Sequence, residues 1–239
     1  MNIKNLKIAA SFAEGAYTEE FPKFYRVTKI SSWLSSTCFY CEGYERDVIV
    51  HKGSKEILDW ILNFAVLPVP YCGSWVHFGF SWTHRSVFKK ILKKIKKRDQ
   101  EKPLLITGHS AGGCAAELTA LRLQREGFGG RDSQGSYFSL ITFGKASTFL
   151  KPRKRRLKIH PRDHFSVCSG SDIVVRTPRY CFAPDQNQTL FYLGNDGCNY
   201  VNPDRDWMKQ DFKLGQIISD HSMQNYVCRL NDFFDGAPG

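Results

Sequence analysis

The residues best suited to chemistry are Gly108-His109-Ser110-Ala111-Gly112, a G-x-S-x-G pattern. A short apolar run, Leu104-Leu105-Ile106, precedes it, and an Ala- and Leu-rich stretch with good helix propensity follows. Strand, glycine-flanked serine and helix together make a nucleophile elbow. A side chain at position 108 or 112 would meet neighbouring backbone in so sharp a turn. The turn lifts the Ser110 hydroxyl clear of the sheet, at the positive end of the next helix.

A serine hydroxyl is a poor nucleophile at neutral pH. It needs a histidine to take its proton and a carboxylate to orient the ring. In sheets built round such an elbow, the acid and then the base follow the serine in the chain. His51, His77, His84 and His109 precede Ser110, and His160 and His164 border a basic loop. His221 lies beyond the predicted strands and is the candidate base. Asp172, in a loop at a strand end, is the candidate acid. Asp163 is its rival, Asp196 and Asp204 are further options, and Asp220 is badly placed to bond the adjacent imidazole. A developing oxyanion needs preorganised donors. The N–H of Ala111 supplies one, and Gly53-Ser54, after another strand, fits the second.

The elements that must hold these residues follow from hydrophobic spacing. Ile3, Leu6, Ala10, Ala13 and Tyr17 recur at helix spacing. The expected strands are 24–30, 38–44, 47–52, 137–143, 164–168 and 189–193, the last closing the sheet, with 38–52 a hairpin. A helix is expected over about 86–98, a loop over 65–75 and a frayed tail over about 231–239. Ile57, Leu58, Trp60, Ile61 and Phe64 form one helical stripe, which is either core packing or a mobile cover. Strands alternating with helices predict one three-layered α/β domain over residues 1–239.

The chain of 239 residues carries a formal charge of +11, which favours anionic partners, an acidic lipid surface among them. The lysines among residues 89–98 are by default a solvated face. Cys38-x-x-Cys41 sits in a strand-like run, where residues three apart face opposite sides, so no metal site is expected. Cys181 and Cys198 could pair, and Asn187-Gln188-Thr189 matches a glycosylation acceptor. No run reaches the apolar length of a membrane span. Ile8–Ala13 is too short for a signal peptide, which favours a cytosolic product unless a leader has been removed.

These motifs resemble the class 3 lipase family of α/β-hydrolases, from about Val48 to Tyr226. Gly108–Gly113 is similar to its nucleophile motif, with Ala111 where leucine is usual. His51-Lys52-Gly53-Ser54 is similar to its oxyanion strand, with His51 and Lys52 in place of Phe-Arg. Val76–Phe80 resembles V-H-x-G-F, Ser171–Val174 the acid segment and Asp220-His221-Ser222 the base segment. Gly144-Lys145-Ala146 departs from Gly-x-Pro. The resemblance implies an α/β-hydrolase sandwich with a mostly parallel sheet and a helical lid over about 55–70. It implies Ser110, Asp172 and His221 as catalytic residues, Ser54 and Ala111 at the oxyanion, and no metal or cofactor. It also implies hydrolysis of lipid esters at a lipid–water interface. Acylglycerols are the expected substrates, with phospholipids and aryl or feruloyl esters as alternatives. A basic nucleic-acid-binding module and a catalytically silent lipid binder are the readings from other classes.

Overall fold

The computed structural model describes residues 3–33, 36–54, 67–128, 138–150, 161–177, 182–183 and 188–236. An eight-stranded sheet runs in the order β1-β2-β3-β6-β7-β9-β11-β12. Its strands are β1 (Arg26–Ser31), β2 (Thr37–Glu42), β3 (Asp47–His51), β6 (Leu104–His109), β7 (Phe138–Phe143), β9 (His164–Ser169), β11 (Thr189–Leu193) and β12 (Asn199–Val201). The five from β3 to β11 are parallel, and antiparallel strands flank them at both ends. Every residue of β3, β6, β7 and β9 is buried. That burial requires cover on both faces, as parallel sheets generally do.

Helices α1 (Ile3–Thr18) and α5 (Met223–Gly236) supply the cover on one face, and the short α4 (Arg205–Gln210) follows β12. Leu6, Phe12, Tyr226 and Leu230 pack there against Val48, Leu105 and Phe143. Helices α2 (Phe78–Ile95) and α3 (Ala111–Arg125) cover the other face, where Phe88, Leu118 and Leu121 meet Ile49, Ile106 and Leu140. Cys38 faces the α2–α3 side and Cys41 the α1–α5 side, as strand alternation dictates.

Four expectations need correction. The stretch expected as a loop over 65–75 contains β4 (Pro68–Tyr71) and part of β5 (Ser74–His77), a hairpin. Its turn residues, Cys72 and Gly73, both have positive φ, 51° and 78°, as a tight two-residue hairpin demands. Pro68 and Pro70 are tolerated because β4 is the edge of a four-stranded sheet completed by β8 (Phe149–Leu150) and β10 (Phe182–Ala183). Helix α2 begins at Phe78 rather than near Ser86, because the His77 ring caps it by accepting the Gly79 N–H at 3.2 Å. Strand β12 follows β11 and lengthens the sheet. Helix α5 runs to Gly236, so the expected tail from 231 is helical that far, with Phe233 and Phe234 against the core.

The stripe Ile57, Leu58, Trp60, Ile61 and Phe64 lies outside the described residues, as do Cys181, Asn187 and positions 151–160 of the basic loop. No helix among the described residues is long and apolar enough to cross a membrane.

Candidate active site

Strand β6 ends at His109 and α3 begins at Ala111, leaving Ser110 alone at the bend. Its φ of 61° and ψ of −129° lie in a region that costs a non-glycine residue roughly 1–3 kcal/mol. The bend closes because its neighbours are glycines. A Cβ on Gly108 would run into the Gly112 carbonyl, and one on Gly112 into the His51 carbonyl. The Ser110 N–H donates to the Phe143 carbonyl of β7 at 2.9 Å, which pins the turn to the next strand.

Three distant residues meet at this bend. Ser110 Oγ lies 2.8 Å from His221 Nε2. His221 Nδ1 lies 3.0 and 2.9 Å from the two carboxylate oxygens of Asp172. An ionised carboxylate only accepts, so Nδ1 carries the hydrogen and Nε2 is free to accept from the serine. Asp172 is fully buried, three residues past the end of β9. It also accepts the Val174 N–H at 2.8 Å and the Tyr226 hydroxyl at 2.6 Å. These donors hold a bare carboxylate out of water. Such a chain of groups can draw the hydroxyl proton away as the oxygen attacks an electrophile, leaving an imidazolium stabilised by the carboxylate.

Gly53 packs against the elbow. A Cβ on it would overlap the Tyr17 hydroxyl and reach within 3.3 Å of Ser110 Cβ. Ser54 therefore follows directly on a residue at the serine's side, and Ala111 opens α3 beside it. The departures at 51 and 52 have local causes. The buried His51 ring bonds Thr119 Oγ1 at 2.8 Å, and burial pushes its pKa down to about 3. Lys52 pairs with Glu19 at 3.6 Å. At the Gly-x-Pro departure, Lys145 turns inward to a buried ion pair with Glu117 of α3 at 3.2 Å, and Gly144 has φ of 52°.

Several residues at the site had no signal in the sequence. His109 stacks on His221, ring centroids 4.8 Å apart, and meets the Tyr17 hydroxyl through Nδ1 at 2.8 Å. Burial, and then the adjacent His221, hold its pKa well below the usual imidazole value, so the ring is neutral. Burial and the adjacent Asp172 push the Tyr226 hydroxyl well above its usual range, so it remains a donor. Asp220 does not bond the imidazole. It accepts the Ser171 N–H at 2.6 Å, Arg229 at 2.8 Å and Asn225 at 3.0 Å, so it straps the loop of Asp172 to the turn of His221. No group of three His, Cys, Asp or Glu side chains among the described residues could hold a metal ion.

The chain resembles known proteins in sequence and in fold. It is 36% identical to the lipase of Rhizomucor miehei over 85 residues, which are 33% of this chain and 23% of that protein. It is 24% identical to the secreted mono- and diacylglycerol lipase 1 of Fusarium solani over 196 residues, 78% of this chain and 53% of that protein. The matched part thus spans about a quarter to about half of those relatives' lengths. Lipase II of Rhizopus niveus superposes with a TM-score of 0.71 at 17% identity, covering 92% of each chain. At that identity the likeness is one of fold, the α/β-hydrolase fold. The family model for lipase (class 3) matches residues 48–181, more than half of the sequence, and the chain belongs to the class 3 lipase family.

Proposed function

We propose that this protein hydrolyses carboxylic esters of lipids, acylglycerols first, through Ser110, His221 and Asp172. The observation that carries the reading is the unbroken hydrogen-bonded line from Ser110 Oγ through His221 to buried Asp172. Ser110 Oγ attacks the ester carbonyl while His221 Nε2 takes its proton. Asp172 holds the Nδ1 hydrogen and offsets the imidazolium charge. The Ala111 N–H and the N–H and hydroxyl of Ser54 receive the oxyanion. A single donor of this kind is worth on the order of 10²–10³ in rate. His221 then hands its proton to the leaving alcohol, an acyl-serine remains, and a water activated by the same imidazole releases the fatty acid.

Family membership and the name of the Fusarium solani relative support lipid esters as the substrate class. Apolar groups at the surface support work at a lipid–water interface. Leu67, 59% exposed, lies three residues past Phe64 within the expected lid range, and its carbonyl accepts the Phe78 N–H at 2.9 Å. The Phe78 ring in turn packs 5.7 Å from that of Trp82, which is 49% exposed. The charge of +11 favours anionic surfaces, which keeps phospholipids as the second substrate class.

The test is a panel of acylglycerols, phospholipids and p-nitrophenyl esters of graded length, run on wild type and Ser110→Ala. Turnover should fall by about 10⁴-fold or more in the variant, and a fluorophosphonate should label wild type alone. Unchanged turnover, or labelling of the variant, would end the proposal. DNA binding without esterase activity would favour the nucleic-acid reading instead.

A further inference from the structure

A polar cavity opens at the far end of α3. It has a volume of about 350 Å³ and is lined by Tyr71, Cys72, Arg85, Arg122, Arg125 and Glu126. Ser110 caps the N-terminal end of α3, whereas Arg122 and Arg125 sit in its last turn. At 1.5 Å per residue the two sites are roughly 20 Å apart.

Three guanidinium groups share this small space with one carboxylate. Two of them have an ordinary explanation, because cations in a last helical turn offset the dipole. Arg85 does not. It comes from α2, a different helix, and is brought to the same cavity. The carboxylate present neutralises little. Glu126 is 3.8 Å from Arg122 Nε, and its side chain is 37% exposed.

Two of the three arginines make contacts that hold them against the cavity wall. Arg85 donates to the Pro70 carbonyl at 3.0 Å and lies 5.1 Å over the Tyr71 ring. Arg122 lies 4.3 Å over the Phe88 ring. The Arg125 guanidinium comes within 3.8 Å of where a Cβ on Gly73 would stand, at the hairpin turn. Tyr71 is fixed from behind by a buried polar chain. Its hydroxyl meets His84 Nδ1 at 2.6 Å, His84 Nε2 meets Thr119 Oγ1 at 2.9 Å, and Thr119 meets His51 Nε2 at 2.8 Å. Burial holds both imidazoles neutral, so each ring donates from one nitrogen and accepts at the other along this chain.

A cavity wall carrying three planar forks suits an anion. Arginine forks match phosphate oxygens in pairs, and three positive charges suit a dianion better than a single carboxylate. The cavity is at the small end of the range for ligand pockets. We infer that this cavity binds a phosphate monoester, gripped by Arg85, Arg122 and Arg125, at a site separate from the proposed ester-hydrolysing centre. A soluble metabolite and a phosphatidate headgroup offer the same phosphate chemistry, and experiment separates the two.

The titrations use a Ser110→Ala background, so that no ester is consumed. Glycerol 3-phosphate is titrated calorimetrically against sodium chloride of matched ionic strength. Phosphatidate-containing and pure phosphatidylcholine vesicles are compared by co-sedimentation. The variants are Arg85→Gln/Arg125→Gln, Arg125→Gln alone, and Lys93→Gln/Lys97→Gln on α2 and just beyond it as a charge-matched control. Arg125 is exposed, so its single variant keeps the test valid if the double variant loses structure. Saturable glycerol 3-phosphate binding should weaken about tenfold or more in the arginine double variant, by part of that in the single variant, and less than about twofold in the lysine control. That result assigns a soluble ligand. Arginine-dependent sedimentation with phosphatidate vesicles, without glycerol 3-phosphate binding, assigns the headgroup. No arginine-dependent binding in either assay, or an equal loss in the lysine control, overturns the inference.

Discussion

Asp220→Asn should damage the proposed site without touching any of its three reacting groups. Asp220 is buried, with two acceptor oxygens facing two sets of donors: the Ser171 N–H on one side, Arg229 and Asn225 on the other. An asparagine keeps the volume but offers one acceptor and one donor. If its oxygen faces Ser171, its amide nitrogen meets Arg229 and Asn225, which are also donors. If it turns over, the fully buried Ser171 N–H is orphaned. The first arrangement costs less, because Arg229 keeps the Leu193 carbonyl and Asn195 Oδ1, each at 3.1 Å. A lost charge-assisted hydrogen bond costs about 1.5–3 kcal/mol, and a facing donor pair adds to it, for a total of about 2–4 kcal/mol. Urea unfolding measures this directly. A double-mutant cycle with Arg229→Gln should return a coupling of about 1–3 kcal/mol. Activity should fall as well, because residues 171 and 220 adjoin Asp172 and His221. A displacement approaching 1 Å between carboxylate and imidazole costs on the order of 10²-fold. The loss should appear in kcat, with KM nearly unchanged, since the strap touches no substrate. A variant within about 0.5 kcal/mol of wild type that also keeps its kcat would refute the reasoning.

Two further outcomes follow from the same geometry. Ser110→Gly should be more stable than Ser110→Ala by about 1 kcal/mol in urea, because glycine alone relieves the φ of 61° while both lose the hydroxyl; equal stabilities would show that the turn stores no strain. Acid should destabilise the fold through His51, whose pKa burial pushes down to about 3 against an unfolded value near 6.5. Between those values the unfolded chain binds the extra proton, so this contribution is complete above about pH 6.5 and is lost as pH falls towards 3. From pH 6.5 to 5 it should amount to about 2 kcal/mol. Urea midpoints across that range should drop less steeply in His51→Gln, and parallel curves would count against it.

The front of the site was legible in the sequence because its signals are local or ordered along the chain. Gly108 and Gly112 flank Ser110 at fixed spacing because neighbouring carbonyls exclude any side chain there. Asp172 sits where a strand ends, and His221 was found from chain order. The edge strand β4 was hidden because Pro68 and Pro70 signal a loop unless the strand is known to lie at an edge. Helix α5 runs past residue 230, where a frayed tail is expected, although Met223, Tyr226, Leu230 and Phe233 recur at helical spacing. Polar residues between them and the chain end obscured that pattern.

The back of the site was not legible, and the reason is topological. Tyr17, at the end of α1, reaches His109 across 92 positions, and Tyr226, in α5, reaches Asp172 across 54. Both helices pack on the same face of the sheet, where the Lys7 ammonium lies 4.3 Å over the Phe234 ring. Helices α1 and α5 thus form the wall behind the elbow. One tyrosine fixes the ring stacked on His221, and the other fixes the carboxylate that orients it. Neither tyrosine has a neighbour in sequence that hints at this, because a tyrosine on an apolar helical stripe reads as core. Each is indeed packed in the core by its ring. Only the hydroxyl turns towards the site, and its direction depends on how α1 and α5 dock on β6 and β9. The chemistry proposed for Ser110 therefore depends on the packing of α1 and α5 as much as on the motif that first marks it.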